Sequence, residues 1–433
     1  MITVEALQEA IKQRIAAYNT EDFPRTNRTV NTVRLLDSCN QILAQDIVSP
    51  FAIPRQNVSA MDGYAIAKGS QLESDSQIDI IGESQAGSPY PNDLPIVSGQ
   101  GVRIFTGAVV PGSCDTVIMQ ENTNFAEIRD SIDKSKPYSI TLTQAAKVDN
   151  NIRKQGEEIA PDEVVLQTGK RLNPTDISLL ANLGVAQVAV FKPLVVGLLS
   201  TGDELVAIGD ELESLAQIYN SNTPTLKSLL AHLPIVIQDY GIIADHLDKT
   251  TLAVAQSMQE CDVLVSTAGV SVGDYDFLTT VIAQLGQINH YKVAMKPGKP
   301  FVFGELNKNL AKPVLYFGLP GNPLSTVVGA LQFVIPALWQ MSGADESEQP
   351  LSLTLQATLT TDVKKSAGRK DFQRGVLSKD ETGNYQVACF TGQQSHRIKQ
   401  LSHANCFIVL DKDSENVVAG AQVNVQPFPW LHR

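Results

Sequence analysis

The sequence has few cysteines, and none of them form a motif. Five cysteines are scattered singly among 433 residues, and no two have the C-x-x-C spacing. We therefore expect neither a disulfide framework nor a cysteine-rich metal cluster, and a reducing cytoplasm suits such a chain.

Positive charge is in deficit. The chain has 34 Lys and Arg residues against 46 Asp and Glu residues, which gives a formal net charge of −12. Nucleic-acid binding needs a broad basic surface to meet the phosphate backbone. No nucleic-acid partner is therefore expected.

Long apolar runs are also missing by inspection, since no run approaches the roughly 20 residues that span a bilayer. The opening residues, MITVEALQEAIKQRIAAY, do not show the charged and then apolar order of a signal peptide. Val4, Leu7, Ile11 and Ile15 instead recur at helical spacing, and Thr3 is suited to cap that helix. We expect a cytoplasmic protein with no membrane partner.

Several catalytic signatures are absent too. The chain has no G-x-x-x-x-G-K-[ST], which excludes a P-loop NTPase, and no G-x-G-x-x-G, which argues against a dinucleotide-binding fold. Covalent catalysis by a protein nucleophile is not expected.

The pattern of predicted helices and strands changes along the chain, which predicts several domains. Strand and helix patterns alternate over residues 193–341, as in a doubly wound α/β domain with a mostly parallel sheet. Short β-type runs dominate residues 50–147 and 345–433, which predicts a β-rich domain and a C-terminal β domain. Residues 1–49 and 148–192 are expected to pack together as a mixed α/β domain.

Charged or glycine-rich loops follow the predicted strands of the α/β region. In open parallel sheets, ligands bind beyond the carboxyl ends of the strands. The candidate residues in these loops are Asp203, Glu204, Asp245, Asp274, Asp276, and the members of the segments MKPGKP and GLPGNP. Their shared position predicts one binding site at this edge of the sheet.

Anion binding together with a metal ion is the chemistry that these loops indicate. Gly202, Gly269 and Gly273 allow backbone N–H groups to approach phosphate oxygens closely. Asn322 and Pro323 begin a predicted helix, and a helix N-terminus favours anions. Carboxylates beside a phosphate would repel it unless Mg²⁺ lies between them, so Mg²⁺ is expected as a cofactor.

A stiff turn, YKVAMKPGKPFVFG, gathers Lys292, Lys296 and Lys299 in this acidic chain. Pro297, Gly298 and Pro300 exclude regular structure from its centre. The turn is expected to hold phosphates or an oxyanion of similar shape. Taken alone, such a turn is usually a solvated surface loop, and it is the shared position of the loops at one sheet edge that favours binding.

Eight segments in order resemble one family, the molybdopterin molybdenumtransferases, which include bacterial MoeA and the gephyrin E domain. The segments are SAMDGYAI, VRIFTGAVVPGSCDTVIMQE, NIRKQGEEI, LLSTGDEL, YNSNTPTL, TAGVSVGDYDFL, MKPGKPFVFG and GLPGNPLS. The likeness covers almost the whole chain and is weakest after about residue 345.

The resemblance implies four domains in a homodimer: a mixed domain built from two separated segments, a β-rich domain, the α/β domain of molybdopterin-binding type, and a C-terminal β-barrel-like domain. It implies that adenylylated molybdopterin and molybdate are bound, that molybdenum is placed on the dithiolene sulfurs, and that Mg²⁺-dependent hydrolysis releases AMP. Further implied partners are transient ones, the adenylyltransferase and the molybdoenzymes that accept the cofactor.

The resemblance also assigns residues motif by motif. It implies catalytic roles for Asp62, Thr106, Glu204, Asp245 and Asp276, of which Glu204, Asp245 and Asp276 would hold the metal. The implied substrate-binding residues are Lys292, Lys296, Lys299, Ser271, Gly273, Pro320, Asn322, Pro323, Arg369 and Arg374. The two arginines, from GRKDFQRG, are candidate molybdate ligands, with Ser395 and Ser402 as weaker ones.

Three positions depart from the family pattern. Ala268 replaces a glycine, Glu158 replaces a shorter aspartate, and Cys406 stands where glycine is common. None of these changes removes a proposed charge.

Two other hypotheses remain at the level of sequence. The α/β region also resembles the adenylyltransferase that makes the adenylylated precursor, although the additional domains and SAMDGY argue against it. A non-catalytic scaffold or cofactor-binding protein is the second, although retention of the acidic residues favours turnover.

Overall fold

The computed structural model describes residues 1–17, 29–91, 93–133, 136–270, 277–306, 313–348 and 353–432. By its contacts the chain divides into two compact units. The first comprises residues 1–45, 168–181 and 185–433, and the second comprises residues 46–167 and 182–184. The finer division into four domains stays a prediction.

A six-stranded sheet forms the centre of the first unit. Its strands are, in spatial order, Ile235–Ile243, Leu194–Thr201, Val263–Thr267, Val314–Leu319, Val302–Leu306 and Gly286–Tyr291. The first four strands are parallel, and each of the last two is antiparallel to its neighbour. The predicted mostly parallel sheet is confirmed.

Both faces of this sheet are covered, because side chains alternate along each strand. Val263 and Val265 belong to one buried cluster, while Leu264 between them belongs to another. Helices packed on the sheet are Asn222–Leu230, Leu247–Glu260, Phe277–Leu285 and a closing helix from Pro323. The doubly wound arrangement is therefore confirmed.

The closing helix corrects the expectation about apolar runs. It extends from Pro323 to Met341 through the segments Pro323–Gly329, Ala330–Val334 (π-helical) and Ile335–Met341. Its 19 residues are long and apolar enough to cross a membrane, but 83% of its apolar window is buried inside the fold. Its apolar character is therefore accounted for by core packing.

The N-terminal helix Val4–Ala17 forms as predicted and buries its apolar stripe in the core of the first unit. The Ala6 N–H donates to Thr3 Oγ1 at 3.2 Å, which supports the predicted cap. The separated segments also meet, because strand Val30–Arg34 pairs with strand Gln187–Phe191. Helix Pro174–Asn182 follows Asn173, whose Oδ1 accepts from the Asp176 N–H at 3.0 Å.

The second unit contains a five-stranded sheet. Its strands are, in spatial order, Cys114–Met119, Gly63–Ala67, Gln100–Ile104, Gln77–Ser84 and Tyr138–Thr141. Two short pairs join Ile47–Val48 to Val164–Leu166 and Val58–Ser59 to Ile152–Arg153, and a short helix covers Phe125–Ile128. The β-rich character is confirmed.

A closed five-stranded barrel forms the C-terminal region. Its strands are Leu355–Leu359, Lys370–Lys379, Tyr385–Cys389, Cys406–Leu410 and Gln422–Pro427, followed around the barrel by pairing, with helix Ile398–His403 outside the strands. Each of the five strands pairs with two others, so the ring of pairings closes; Lys370–Lys379 pairs with Tyr385–Cys389 and Cys406–Leu410. Sequence reasoning missed this strand, whose charged residues Asp371 and Arg374 are buried.

Candidate active site

The carboxyl ends of the four parallel strands lie at one edge of the central sheet. The last residues of these strands are Thr201, Ile243, Thr267 and Leu319. The loops beyond them hold the predicted acids, glycines and Asn322. For the described residues, the predicted clustering at one edge is confirmed.

The lysine turn begins at the same edge. Strand Gly286–Tyr291 runs parallel to Val314–Leu319, since both are antiparallel to Val302–Leu306 between them. The edge also contains a topological switch point. After strand Leu194–Thr201 the chain forms Ile235–Ile243 on one side of it and then Val263–Thr267 on the other side. Ligands bind at such switch points in open α/β sheets.

Three carboxylates lie close together beyond the first two strands. Asp203 and Glu204 are exposed, and Asp245 is half-buried. The Asp245 N–H donates to Asp203 Oδ1 at 3.0 Å. Burial raises the pKa of Asp245, and the charges of Asp203 and Glu204 raise it further. Glycine is favoured at Gly202, because its φ of +144° is one that L-residues rarely adopt.

These acids fit Mg²⁺ when it binds together with a phosphate. Among the described residues, no group of three or more His, Cys, Asp or Glu side chains could hold a metal ion by itself. Mg²⁺ is commonly bound by one or two carboxylates, with water and substrate phosphates completing its shell. Glu204 and Asp245 are two such carboxylates, and the charge of Glu204 contributes to the raised pKa of Asp245 after burial and Asp203.

The lysine turn presents its side chains in different environments. Lys292 has a left-handed backbone, with φ 72°, and its Nζ lies 5.0 Å from the centroid of the Tyr291 ring. Lys296 and Lys299 are exposed. The Val293 N–H donates to Lys299 O at 3.0 Å and closes the turn. Two exposed ammonium groups on a backbone-bonded turn suit an anion.

The GLPGNP loop is fixed by side-chain contacts. Pro320 is buried, and its carbonyl accepts from Thr326 Oγ1 at 2.7 Å. Asn322 occupies the N-cap position of the closing helix, whose first residue is Pro323, but its side chain makes no capping hydrogen bond to the described helix residues. The Asn222 Nδ2 group donates to Gly321 O at 2.7 Å. The Oδ1 atoms of Asn222 and Asn322 are buried and have no hydrogen-bond partner among the residues that the structure describes.

A buried polar network that sequence reasoning missed lies behind this loop. Ser200 Oγ is 2.9 Å from Thr223 Oγ1 and 2.8 Å from Thr267 Oγ1. The Asn220 Nδ2 group donates to both Ser200 and Thr223. Asn220 and Asn222 belong to the motif YNSNTPTL, which was a signal for the resemblance but carried no role. The network fixes the ends of two strands and the start of helix Asn222–Leu230.

In the second unit, Asp62 and Thr106 are directly bonded. Asp62 Oδ1 accepts from the backbone N–H and from the Oγ1 of Thr106, both at 2.8 Å. These bonds, with a smaller effect from the Arg103 charge, lower the pKa of Asp62. Asp62 therefore presents an exposed, ionised carboxylate, which Thr106 holds in a fixed orientation.

The structure corrects the expectation that Arg374 is a molybdate ligand. Its side chain is fully buried, and its guanidinium donates to the carbonyls of Gly392, Gln394 and Arg397 and to Gln393 Oε1. These donors hold the loop 392–397 and are not presented to a molybdate ion. Arg369 is half-buried in the turn before strand Lys370–Lys379 and stays a candidate. Ser271, Gly273, Asp274 and Asp276 lie outside the described residues.

Three family models match successive parts of the chain. The model of the MoeA N-terminal region (domain I and II) matches residues 2–184, and that of a probable molybdopterin-binding domain matches residues 197–340. The model of the MoeA C-terminal region (domain IV) matches residues 356–428.

Curated relatives and a solved structure agree. A molybdopterin molybdenumtransferase of Haemophilus influenzae is 38% identical, over 94% of this chain and 96% of the relative. One of Staphylococcus aureus strain MSSA476 is 34% identical, over 91% and 90%. The molybdopterin biosynthesis MoeA protein of Pyrococcus horikoshii, 23% identical, has the same fold with a TM-score of 0.77 over 99% of both chains. The chain therefore belongs to the MoeA family of molybdopterin molybdenumtransferases.

Proposed function

We propose that this protein is a molybdopterin molybdenumtransferase that completes the molybdenum cofactor. It binds adenylylated molybdopterin and molybdate, places molybdenum on the dithiolene sulfurs, and releases AMP as the adenylate is hydrolysed. The observation that carries the proposal is the convergence of the family's acids, lysine turn and GLPGNP loop at one edge of the sheet.

Different residues at this edge would bind different parts of the substrate. Lys296 and Lys299 neutralise the phosphate or molybdate oxygens, as exposed ammonium groups can. The side-chain carbonyl of Asn322, which has no donor among the described residues, suits the N–H groups of the pterin ring, and that of Asn222 is a further acceptor beside the same loop. A cleft of about 880 Å³ adjoins Asp203 and Ala244 and is large enough for part of the substrate.

Glu204 and Asp245 would hold Mg²⁺, with Asp276 proposed as a third ligand. When bound, the ion supplies positive charge that offsets the phosphates and polarises the bond to be hydrolysed. Asp62 supplies a carboxylate that Thr106 keeps ionised and oriented.

The proposed setting is a cytoplasmic homodimer that meets the adenylyltransferase and the acceptor molybdoenzymes transiently. The five free thiols suit a reducing compartment. Light scattering should give twice the chain mass of 46.8 kDa, and a mass that stays at one chain at micromolar concentration would reject the dimer.

One assay distinguishes a molybdenumtransferase from an adenylyltransferase. Incubation with adenylylated molybdopterin, Mg²⁺ and molybdate should release AMP without consuming ATP. Consumption of ATP on unmodified molybdopterin would instead indicate the adenylyltransferase, and no turnover of either substrate would favour a scaffold.

A further inference from the structure

The lysine turn is bonded to parts of the chain that are remote in sequence. Met295–Lys296 pairs in parallel with Lys370 and Asp371, the first residues of the long barrel strand. The Lys370 N–H donates to Ala294 O at 2.9 Å, and the Ala294 N–H donates to Ile2 O at 2.8 Å. Backbone bonds therefore fix the turn between the N-terminus and the barrel.

Asp371 is a buried carboxylate beside this turn. The residue is 2% exposed. Its Oδ2 accepts from Gln373 Nε2 at 3.3 Å and lies 3.9 Å from Lys296 Nζ. A buried carboxylate is costly unless a positive charge or several hydrogen bonds compensate it. Among the described residues, Lys296 is the cation that forms an ion pair with Asp371.

The separation leaves Lys296 available to a ligand. At 3.9 Å the two groups attract each other without forming a hydrogen bond. Among the described residues no hydrogen bond engages the three N–H donors of the Lys296 ammonium group, which can therefore turn to an anion. An unrestrained lysine loses much side-chain entropy when a ligand orders it, and a fixed negative charge nearby reduces that loss.

We infer that Asp371 is a positioning residue that places the ammonium group of Lys296 for anion binding. The barrel strand thereby contributes to the site without touching the anion. This inference rests on the proposed role of Lys296 in binding adenylylated molybdopterin. The resemblance assigned roles only to the two arginines of GRKDFQRG and none to Asp371.

The test is a double-mutant cycle on the KM for adenylylated molybdopterin, measured by AMP release. Lys296→Ala should raise KM about 10- to 150-fold, because a hydrogen bond to a charged group is lost. Asp371→Asn should raise KM about 3- to 10-fold with kcat nearly unchanged, as expected when a neighbouring contact acts on binding. In the Lys296→Ala background, Asp371→Asn should have no further effect on KM.

Thermal unfolding of the same variants supplies an independent readout. Lys296→Ala leaves Asp371 buried without its cation, so this variant should have a lowered Tm. Adding Asp371→Asn should restore the Tm while KM stays high. A purely structural role for Asp371 would move Tm and KM together.

Lys370→Gln is the matched control on the same strand. It removes an adjacent charge, which pairs with Glu5 at 2.7 Å, and should leave KM unchanged. Asp371→Glu is a second variant, expected to keep the Tm but raise KM, because it moves the carboxylate by one methylene.

Additive effects of Lys296→Ala and Asp371→Asn on KM would overturn the positioning role, as would an equal rise of KM in Lys370→Gln. An unchanged KM in Lys296→Ala would remove that lysine from the anion site and the inference with it. The enzyme assignment would then still stand or fall on AMP release by the unmodified protein.

Discussion

Asp245 shows how a site residue can lower the stability of the free protein. Its pKa is raised above the ordinary value of 3.8 by burial and by the charges of Asp203 and Glu204. Folding therefore favours its protonated form, and the ionised form lowers the free energy of unfolding above the raised pKa. The penalty disappears as the pH falls through that pKa towards 3.8.

Asp245→Asn should consequently raise the Tm of the free protein at pH 7 and abolish most AMP release. The gain in Tm should shrink as the pH is lowered through the raised pKa. Mg²⁺ with inorganic pyrophosphate should raise the Tm of the unmodified protein more than that of the variant, because the variant lacks a proposed Mg²⁺ ligand. Glu381→Gln, an exposed acid in a turn of the C-terminal barrel, is the control. A lower Tm for Asp245→Asn at pH 7 would contradict this account.

Ala268 adopts a backbone conformation that suits glycine. Its φ is +68°, in the left-handed region, which costs an L-residue about 1–2 kcal/mol. A glycine at this position avoids the cost of the left-handed conformation, but it loses more backbone entropy on folding than alanine does. Ala268→Gly should therefore raise the free energy of unfolding by about 0.5–1 kcal/mol, measured by urea denaturation.

The control for Ala268 is an alanine in ordinary helical geometry. Ala283 is exposed in helix Phe277–Leu285, where glycine should destabilise by about 0.5–1 kcal/mol. Equal destabilisation by Ala268→Gly and Ala283→Gly would show that the left-handed conformation carries no strain.

At the scale of elements, strand Lys370–Lys379 depends on Arg374 to hold the neighbouring loop. Arg374→Gln would leave several buried carbonyls without a donor, each costing about 1–3 kcal/mol. We expect a strongly lowered Tm with a local loss of protection in residues 391–400, measured by hydrogen exchange. Arg369→Gln, from the same motif, should keep the Tm. A well-folded Arg374→Gln protein with only a raised KM for molybdate would restore the ligand interpretation.

The elements that sequence could predict are those whose pattern is set by burial on both faces. Continuous apolar strands such as Leu194–Thr201 and Val314–Leu319 stand out because helices cover both sides of the sheet. Strand Lys370–Lys379 was missed because its buried polar residues are paired with groups far away in sequence. A long-range partner leaves no local signal.

For the whole molecule, the position of the candidate loops at one edge could be predicted, because strand direction alone brings them there. It could not assign the contacts within that site. The bond from Asn222 to Gly321, the pairing of Asp371 with Lys296 and the burial of Arg374 all depend on tertiary packing. Residue types and order predict which loops meet, whereas packing decides which atoms do.

Molybdenum transfer itself tests the account most directly. The unmodified protein is incubated with adenylylated molybdopterin, Mg²⁺ and molybdate, and the pterin product is separated from free molybdate. AMP is measured by chromatography and pterin-bound molybdenum by mass spectrometry. The account predicts about one molybdenum atom on the pterin for each AMP released, with both lost in Glu204→Gln. Release of AMP with no molybdenum on the pterin would contradict it.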